Sequence, residues 1–177
     1  MEEGIEETFH ITEESRQKGD EAEFRFKEWL DKHGIPYFYI KQDSESFSPA
    51  LNDIFSGKRP DFMILIPNFG FVFVDVKNRS LHRKYKTYPL DSFETKKYSS
   101  LQRIFNIHIW YAISNEDYDF KTWLWIPVSK VMESGMPRYN SSKSKEDFYA
   151  VPLEEFIQIA DDDSLDRLFS KSFGDKT

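Results

Sequence analysis

Residues 59–79, RPDFMILIPNFGFVFVDVKNR, constrain the fold more than any other stretch, because two apolar runs each carry charge where a core strand should carry none. Asp61 opens the first run and Asp75-Val76-Lys77 closes the second. Runs of Phe, Val and Ile that are apolar on both faces read as central strands covered on both sides. Charge buried in such a place is costly unless it is paired or bound to a metal. Side chains alternate along a strand, so Phe71, Phe73, Asp75 and Lys77 share one face while Val72, Val74 and Val76 take the other.

Whether Asp61 joins that face depends on the connection between the runs, since hairpin loop length sets which residues stand opposite each other. A two-residue loop would put Asp61 opposite Val76, on the wrong face. A three-residue loop of Asn68, Phe69 and Gly70, with Gly70 left-handed, puts Asp61 opposite Lys77. Two carboxylates ~4 Å apart repel by roughly 4 kcal/mol at an effective dielectric of 20, and a hard divalent cation relieves that repulsion. A purely structural Asp/Lys ion pair is the competing reading.

Pro60-Asp61, followed after thirteen residues by Asp75-Val76-Lys77 and preceded by a helix carrying Glu23, resembles the PD-(D/E)XK nuclease superfamily, the restriction-endonuclease-like fold. Gly19-Asp20-Glu21-Ala22-Glu23, with Phe26 and Trp29-Leu30 behind it, looks like the Gly-x-x-Ala-Glu opening of the Holliday-junction-resolvase-like branch. The resemblance covers about residues 18–127. It implies an α/β fold with a core of order α-β-β-β-α-β, a mixed central sheet flanked by helices, and here a C-terminal strand and helix extension at about 128–177.

The triplet alone is uninformative, because 15 Asp and 16 Lys in 177 residues yield about 1.4 Asp-x-Lys triplets by chance. Asp119-Phe120-Lys121 is a second one, but it follows a polar run with no Pro-Asp ahead of it and reads as a hairpin turn. Glu94-Thr95-Lys96 fits the looser pattern within a helical stretch, where residues two apart do not face each other. Only the first triplet has the strand, the upstream Pro-Asp, the hairpin spacing and the preceding helix.

At 21.1 kDa, with 39% hydrophobic residues, residues 13–177 are expected to form a single domain, after a flexible acidic segment at 1–12. The absence of cysteine excludes disulfides, cysteine-zinc sites and thiol nucleophiles. No apolar run approaches a membrane span and the N-terminus is acidic, so an intracellular setting, cytoplasmic or nucleoid-associated, is expected. Asn140-Ser141-Ser142 then reads as an unmodified surface loop. The histidines show no metal-ligand spacing, and His108 reads as a core histidine.

A net charge of −7 argues against general affinity for nucleic acid. Its distribution argues the other way: from Lys77 to Arg103, eight basic residues face only Asp91 and Glu94. An incidental solvated charge run is the alternative.

Helical spacing predicts a helix from about 13 to 32 with Ala22, Phe26, Trp29 and Leu30 inward, Glu23 on the inner edge, and Gly34 as its C-terminal cap. Strands are expected at 35–41, 60–66, 71–77, 107–113 and 122–128, with a polar loop up to Arg59. A helix at 92–105 is expected to turn Phe93, Leu101, Ile104 and Phe105 inward. Lys97, four residues from both Phe93 and Leu101, is then expected either to reach the site or to snorkel along its stem. Trp110, Trp123 and Trp125 read as packing. Beyond them, Phe148 to Leu153 suits an added strand, and the spacing of Phe156, Ile159, Leu165, Leu168 and Phe169 suits helices.

By the resemblance, Asp61, Asp75 and the Val76 carbonyl would hold Mg²⁺, with Mn²⁺ as a substitute and Glu23 contributing directly or through water. Lys77 would orient or deprotonate the attacking water, and Lys97 would meet the scissile phosphate. Lys58, Arg59, Arg79, Arg83, Lys84 and Lys86 would grip the nucleic-acid backbone, DNA more than RNA. A homodimer is compatible with this picture. The alternative function is a catalytically inactive nucleic-acid-binding or assembly module on the same fold.

Overall fold

The computed structural model describes residues 13–43, 45–55, 59–139 and 146–170. The acidic segment 1–12, Lys58 and Asn140-Ser141-Ser142 lie outside these residues.

Along the chain the elements are α1 (Glu13–Lys32), β1 (Tyr37–Tyr39), α2 (Pro49–Phe55), β2 (Phe62–Ile66), β3 (Gly70–Asn78), β4 (Thr87–Asp91), α3 (Ser92–Phe105), β5 (Ile109–Ser114), β6 (Trp123–Pro127), α4 (Val128–Ser134), β7 (Met136–Tyr139), β8 (Glu146–Pro152), β9 (Ile157–Ile159) and α5 (Arg167–Ser170). Among the described residues the strands form a six-stranded sheet, β1-β2-β3-β5-β6-β9, and a three-stranded sheet, β4-β8-β7. The β3–β5 pair is parallel and the other pairs of the large sheet are antiparallel. The expected helix-strand-strand-strand-helix-strand order is therefore present as α1, β1, β2, β3, α3 and β5, in a mixed sheet with helices on both faces.

Helix α1 buries Ala22, Phe26, Trp29 and Leu30, the stripe that its spacing predicts. It ends where Gly34 adopts φ +63° and the Ile35 N–H reaches back to the Leu30 carbonyl at 3.0 Å, a left-handed cap that satisfies the last carbonyls. The stripe packs on Phe62, Ile64, Ile66, Val72, Val74 and Val76, all buried. Phe26 sits edge-on to Phe62 and to Trp123, with ring centroids 5.2 and 4.8 Å away. Full burial of a ring of this size contributes roughly 1.5–3 kcal/mol.

The opposite face of the sheet is covered by α3, α4 and the small sheet. Tyr98 and Leu101 pack there against Ile109, Tyr111, Ile113, Leu124 and Ile126. Trp123 and Trp125 are buried packing residues, as expected.

Several expectations are corrected. The loop expected before Arg59 contains α2, and the basic loop ends in β4, five residues before its expected limit at Ser92. Of the helices expected from Phe156 onward, α5 holds Leu168 and Phe169, but Ile157 and Ile159 face inward with Gln158 outward on a strand, and β9 pairs along β6. That pairing satisfies an edge that would otherwise leave N–H groups open. His108 is exposed and lies before β5. Among the described residues, no helix is long and apolar enough to cross a membrane.

Candidate active site

The hairpin positions the site. Its loop is three residues long, but they are Pro67, Asn68 and Phe69, so Ile66 pairs with Gly70 and Phe62 with Val74. Asn68 takes φ +65° and Gly70 φ +118° to close the turn. This differs by two residues from the register expected to set Asp61 against Lys77. A slip of two preserves the face of every side chain, so Asp61 stays with Asp75 and Lys77. The Asp61 N–H donates to the Val74 carbonyl at 3.0 Å, and its Oδ2 accepts from the Val76 N–H at 2.7 Å.

Asp75 is fully buried. Its Oδ1 accepts from the Tyr98 hydroxyl at 2.6 Å, and its Oδ2 lies 2.5 Å from the Lys77 ammonium. Lys77 also meets Glu94, at 2.9 Å from Oε1 and 3.2 Å from Oε2. Glu94 stands on the first turn of α3, where Asp91 caps the helix by accepting from the Glu94 N–H at 2.7 Å. The cap fixes where the helix begins, and therefore which residues face the sheet. Thr95 shares a hydrogen bond of 3.0 Å with the Tyr111 hydroxyl, and the Tyr111 ring lies 6.0 Å from the Lys77 nitrogen.

Glu23, half-buried on α1, accepts from the Tyr39 hydroxyl at 2.7 Å. Burial pushes its carboxyl above the usual range; Asp20 and Asp75 push the same way, while the Tyr39 bond and Lys77 oppose. Asp61 is raised well above the ordinary value, first by burial and then by Asp75 and Glu23, against Lys77 and the Val76 N–H. Burial alone would lower the Lys77 ammonium, but Asp75, Glu94 and Asp61 outweigh it and hold it above the usual lysine value. The mutual influence of Asp61, Asp75, Glu23 and Lys77 places all four in one electrostatic unit.

Helix α3 buries Leu101 as expected, but not Phe93, Ile104 or Phe105. Phe93 and Ile104 are 68% and 61% exposed, while Glu94, Thr95 and Tyr98 are buried. Lys97 accordingly lies with its nitrogen 4.6 Å from the centre of the exposed Phe93 ring, and the places facing Asp75 and Lys77 belong to Tyr98 and Glu94. Arg59 is also not a surface contact. It is 5% exposed, its guanidinium donates to the carbonyls of Lys41, Gln42 and Asp43, and it lies 4.3 Å from the Phe47 ring centre. A group tied to three carbonyls organises the loop that it closes.

Arg79, Arg83, Lys84 and Lys86 are exposed beyond the end of β3. Asp119-Phe120-Lys121 is the expected turn, with Lys121 bound to Asp119 at 2.7 Å. Glu94, Tyr98 and Tyr39 are site residues that sequence reasoning missed; the four-residue spacing of Glu94 and Tyr98 behind the Asp91 cap was the available signal.

Among the described residues, no three His, Asp or Glu side chains stand as a ready metal cage. The oxygens that a hard cation would take are the carboxylate oxygens of Asp61 and Asp75, with Glu23 acting on both through space.

The chain has the α/β architecture that the sequence resemblance implies, a mixed central sheet flanked by helices, with acids and a lysine grouped on its central hairpin. It is similar in structure to Hjc, a Holliday junction resolvase from the archaeal hyperthermophile Archaeoglobus fulgidus, with TM-score 0.49 and 15% identity over 80% of this chain and 92% of that one. It is also similar to D212, a nuclease from a fusselovirus, with TM-score 0.44 and 12% identity over 85% of this chain and 88% of that one. No protein-family model matches the sequence, and no match is found among curated proteins.

Proposed function

We propose that the chain is a divalent-metal-dependent endonuclease that hydrolyses phosphodiester bonds in nucleic acid, DNA before RNA. The observation that carries this reading is the grouping of Asp61, Asp75 and Lys77 at the β2–β3 hairpin, with Glu23 of α1 acting on the two aspartates through space. Asp61, Asp75 and the Val76 carbonyl would hold Mg²⁺ or Mn²⁺, with Glu23 contributing directly or through water. Such an ion, when bound, lowers the pKa of a water and neutralises phosphoryl oxygens.

Lys77, kept charged by its carboxylate neighbours, donates hydrogen bonds to the attacking water and to the charge that builds on phosphorus-bound oxygen. Tyr98 and Glu94 hold Asp75 and Lys77 in place. Arg79, Arg83, Lys84 and Lys86 would grip the phosphate backbone without reading bases. Cleavage of plasmid, junction and flap DNA with Mg²⁺ or Mn²⁺ tests the proposal, with loss expected in Asp75→Ala. Equal activity in the wild type and the variant removes it.

The sharing of Lys77 between Asp75 and Glu94, together with the net charge of −7, favours a second reading: a nucleic-acid-binding or assembly module without hydrolysis. Salt-dependent DNA binding with no metal-dependent cleavage would select it.

A further inference from the structure

A cavity of about 240 Å³ opens beside the site, lined by Asp20, Glu23, Phe24, Lys27, Tyr39 and Phe62. It is continuous with the site, because Tyr39 forms one wall while its hydroxyl holds Glu23 at 2.7 Å. Phe24 and Tyr39 are 57% and 49% exposed, two large rings in water beside a polar site.

The volume is below the roughly 300–1,000 Å³ of a pocket for a whole small molecule, and suits one planar ring system. Its chemistry narrows the occupant further. The carboxylates of Asp20 and Glu23 repel a phosphate and accept from ring N–H and exocyclic amino groups. Lys27 disfavours a cationic side chain, and the two aromatic rings offer faces on which a base of any sequence can stack.

We propose that this cavity takes one unstacked nucleobase of the bound strand, so that the preferred substrate carries an unpaired nucleotide beside the scissile bond. This rests on the nucleic-acid reading of the site. A base inside continuous duplex cannot enter without unpairing, whereas a gap, flap or single strand presents it at little cost.

The test is binding in EDTA, where no hydrolysis is needed, of a continuous duplex and of the same duplex with a short gap carrying 2-aminopurine. The wild type is expected to prefer the gapped DNA and to quench its fluorescence. Phe24→Ala is expected to weaken gapped binding by about 5- to 150-fold, the range supplied by one base on an aromatic ring. Duplex binding should stay in place, and Phe24→Trp should restore both preference and quenching. No preference in the wild type, or equal effects of Phe24→Ala on the two DNAs, overturns the inference. Phe24-dependent preference without cleavage in Mg²⁺ refutes the nuclease reading and keeps the cavity's assignment; cleavage without that preference does the reverse.

Discussion

Replacing Lys77 with Met keeps the length of the side chain and removes the ammonium that joins Asp75 to Glu94. Asp75 Oδ2 and Glu94 Oε1 lie 2.5 and 2.9 Å from the same nitrogen, so they stand no more than 5.4 Å apart, the sum of those contacts. Two unit charges at that separation repel by about 3 kcal/mol at an effective dielectric of 20, before Asp61 is counted. Removing one partner of a buried ionic group typically costs about 3–5 kcal/mol, which agrees with this scale. Urea unfolding at neutral pH in EDTA should therefore show the Lys77→Met midpoint lower by on the order of 2 M. Mn²⁺ should then recover about 2.7 kcal/mol at a hundredfold excess over its Kd, because a bound cation replaces the missing ammonium. An unchanged midpoint in EDTA would refute the charge accounting. A lowered midpoint that Mn²⁺ does not raise would refute the assignment of Asp61 and Asp75 as a cation site.

Asp61→Asn keeps an acceptor for the Val76 N–H and removes a buried charge. Because the folded Asp61 carboxyl is raised, the folded chain holds that proton more tightly than the unfolded chain. Wild-type stability in EDTA should rise as pH falls through the folded value and level off near the ordinary ~3.9 of the unfolded chain. The variant should be the more stable at neutral pH, with the gap closing as pH is lowered; a gap that ignores pH would contradict this. Tyr98→Phe removes a hydrogen bond to a buried carboxylate at 2.6 Å. A loss of about 1.5–3 kcal/mol is expected in chemical unfolding, and a loss under 0.5 kcal/mol would show that Tyr98 does not hold Asp75.

The β2–β3 hairpin shows what the pattern of residues carries and what it leaves open. Apolar alternation identifies both strands and the face shared by Asp75 and Lys77, but it does not choose between registers two residues apart, because both leave the same side chains inward. Turn chemistry decides, and Asn68 rather than Gly70 opens the loop in the left-handed region. Helix α3 defeats the pattern differently. Phe93 and Ile104 are apolar and exposed, while Glu94, Thr95 and Tyr98 are polar and buried. Those three are buried because Lys77, Tyr111 and Asp75 satisfy them, partners that are distant in sequence and invisible to a count of apolar residues. Strand β4 contains Pro89, a residue that disfavours a central strand. It is tolerated because β4 lies at the edge of the small sheet.

A functional site and a structural ion pair make different demands on buried charge. A pair retained only for the fold needs one carboxylate per ammonium, and an apolar replacement of the same volume often does as well. Here Lys77 answers to Asp75 and Glu94 at contact distance and to Asp61 through space, while Glu23 adds to the same field. The acids come from the residue before β2, from β3, from α3 and from α1, so their grouping is not set by one strand's composition. Proteins break rules of polar satisfaction chiefly where function requires it. With Arg79, Arg83, Lys84 and Lys86 exposed beyond β3, this grouping of buried acids is what the proposed binding of a cation at the acids and a polyanion across the rim rests on. Those are the two ligands that metal-assisted phosphodiester hydrolysis brings together.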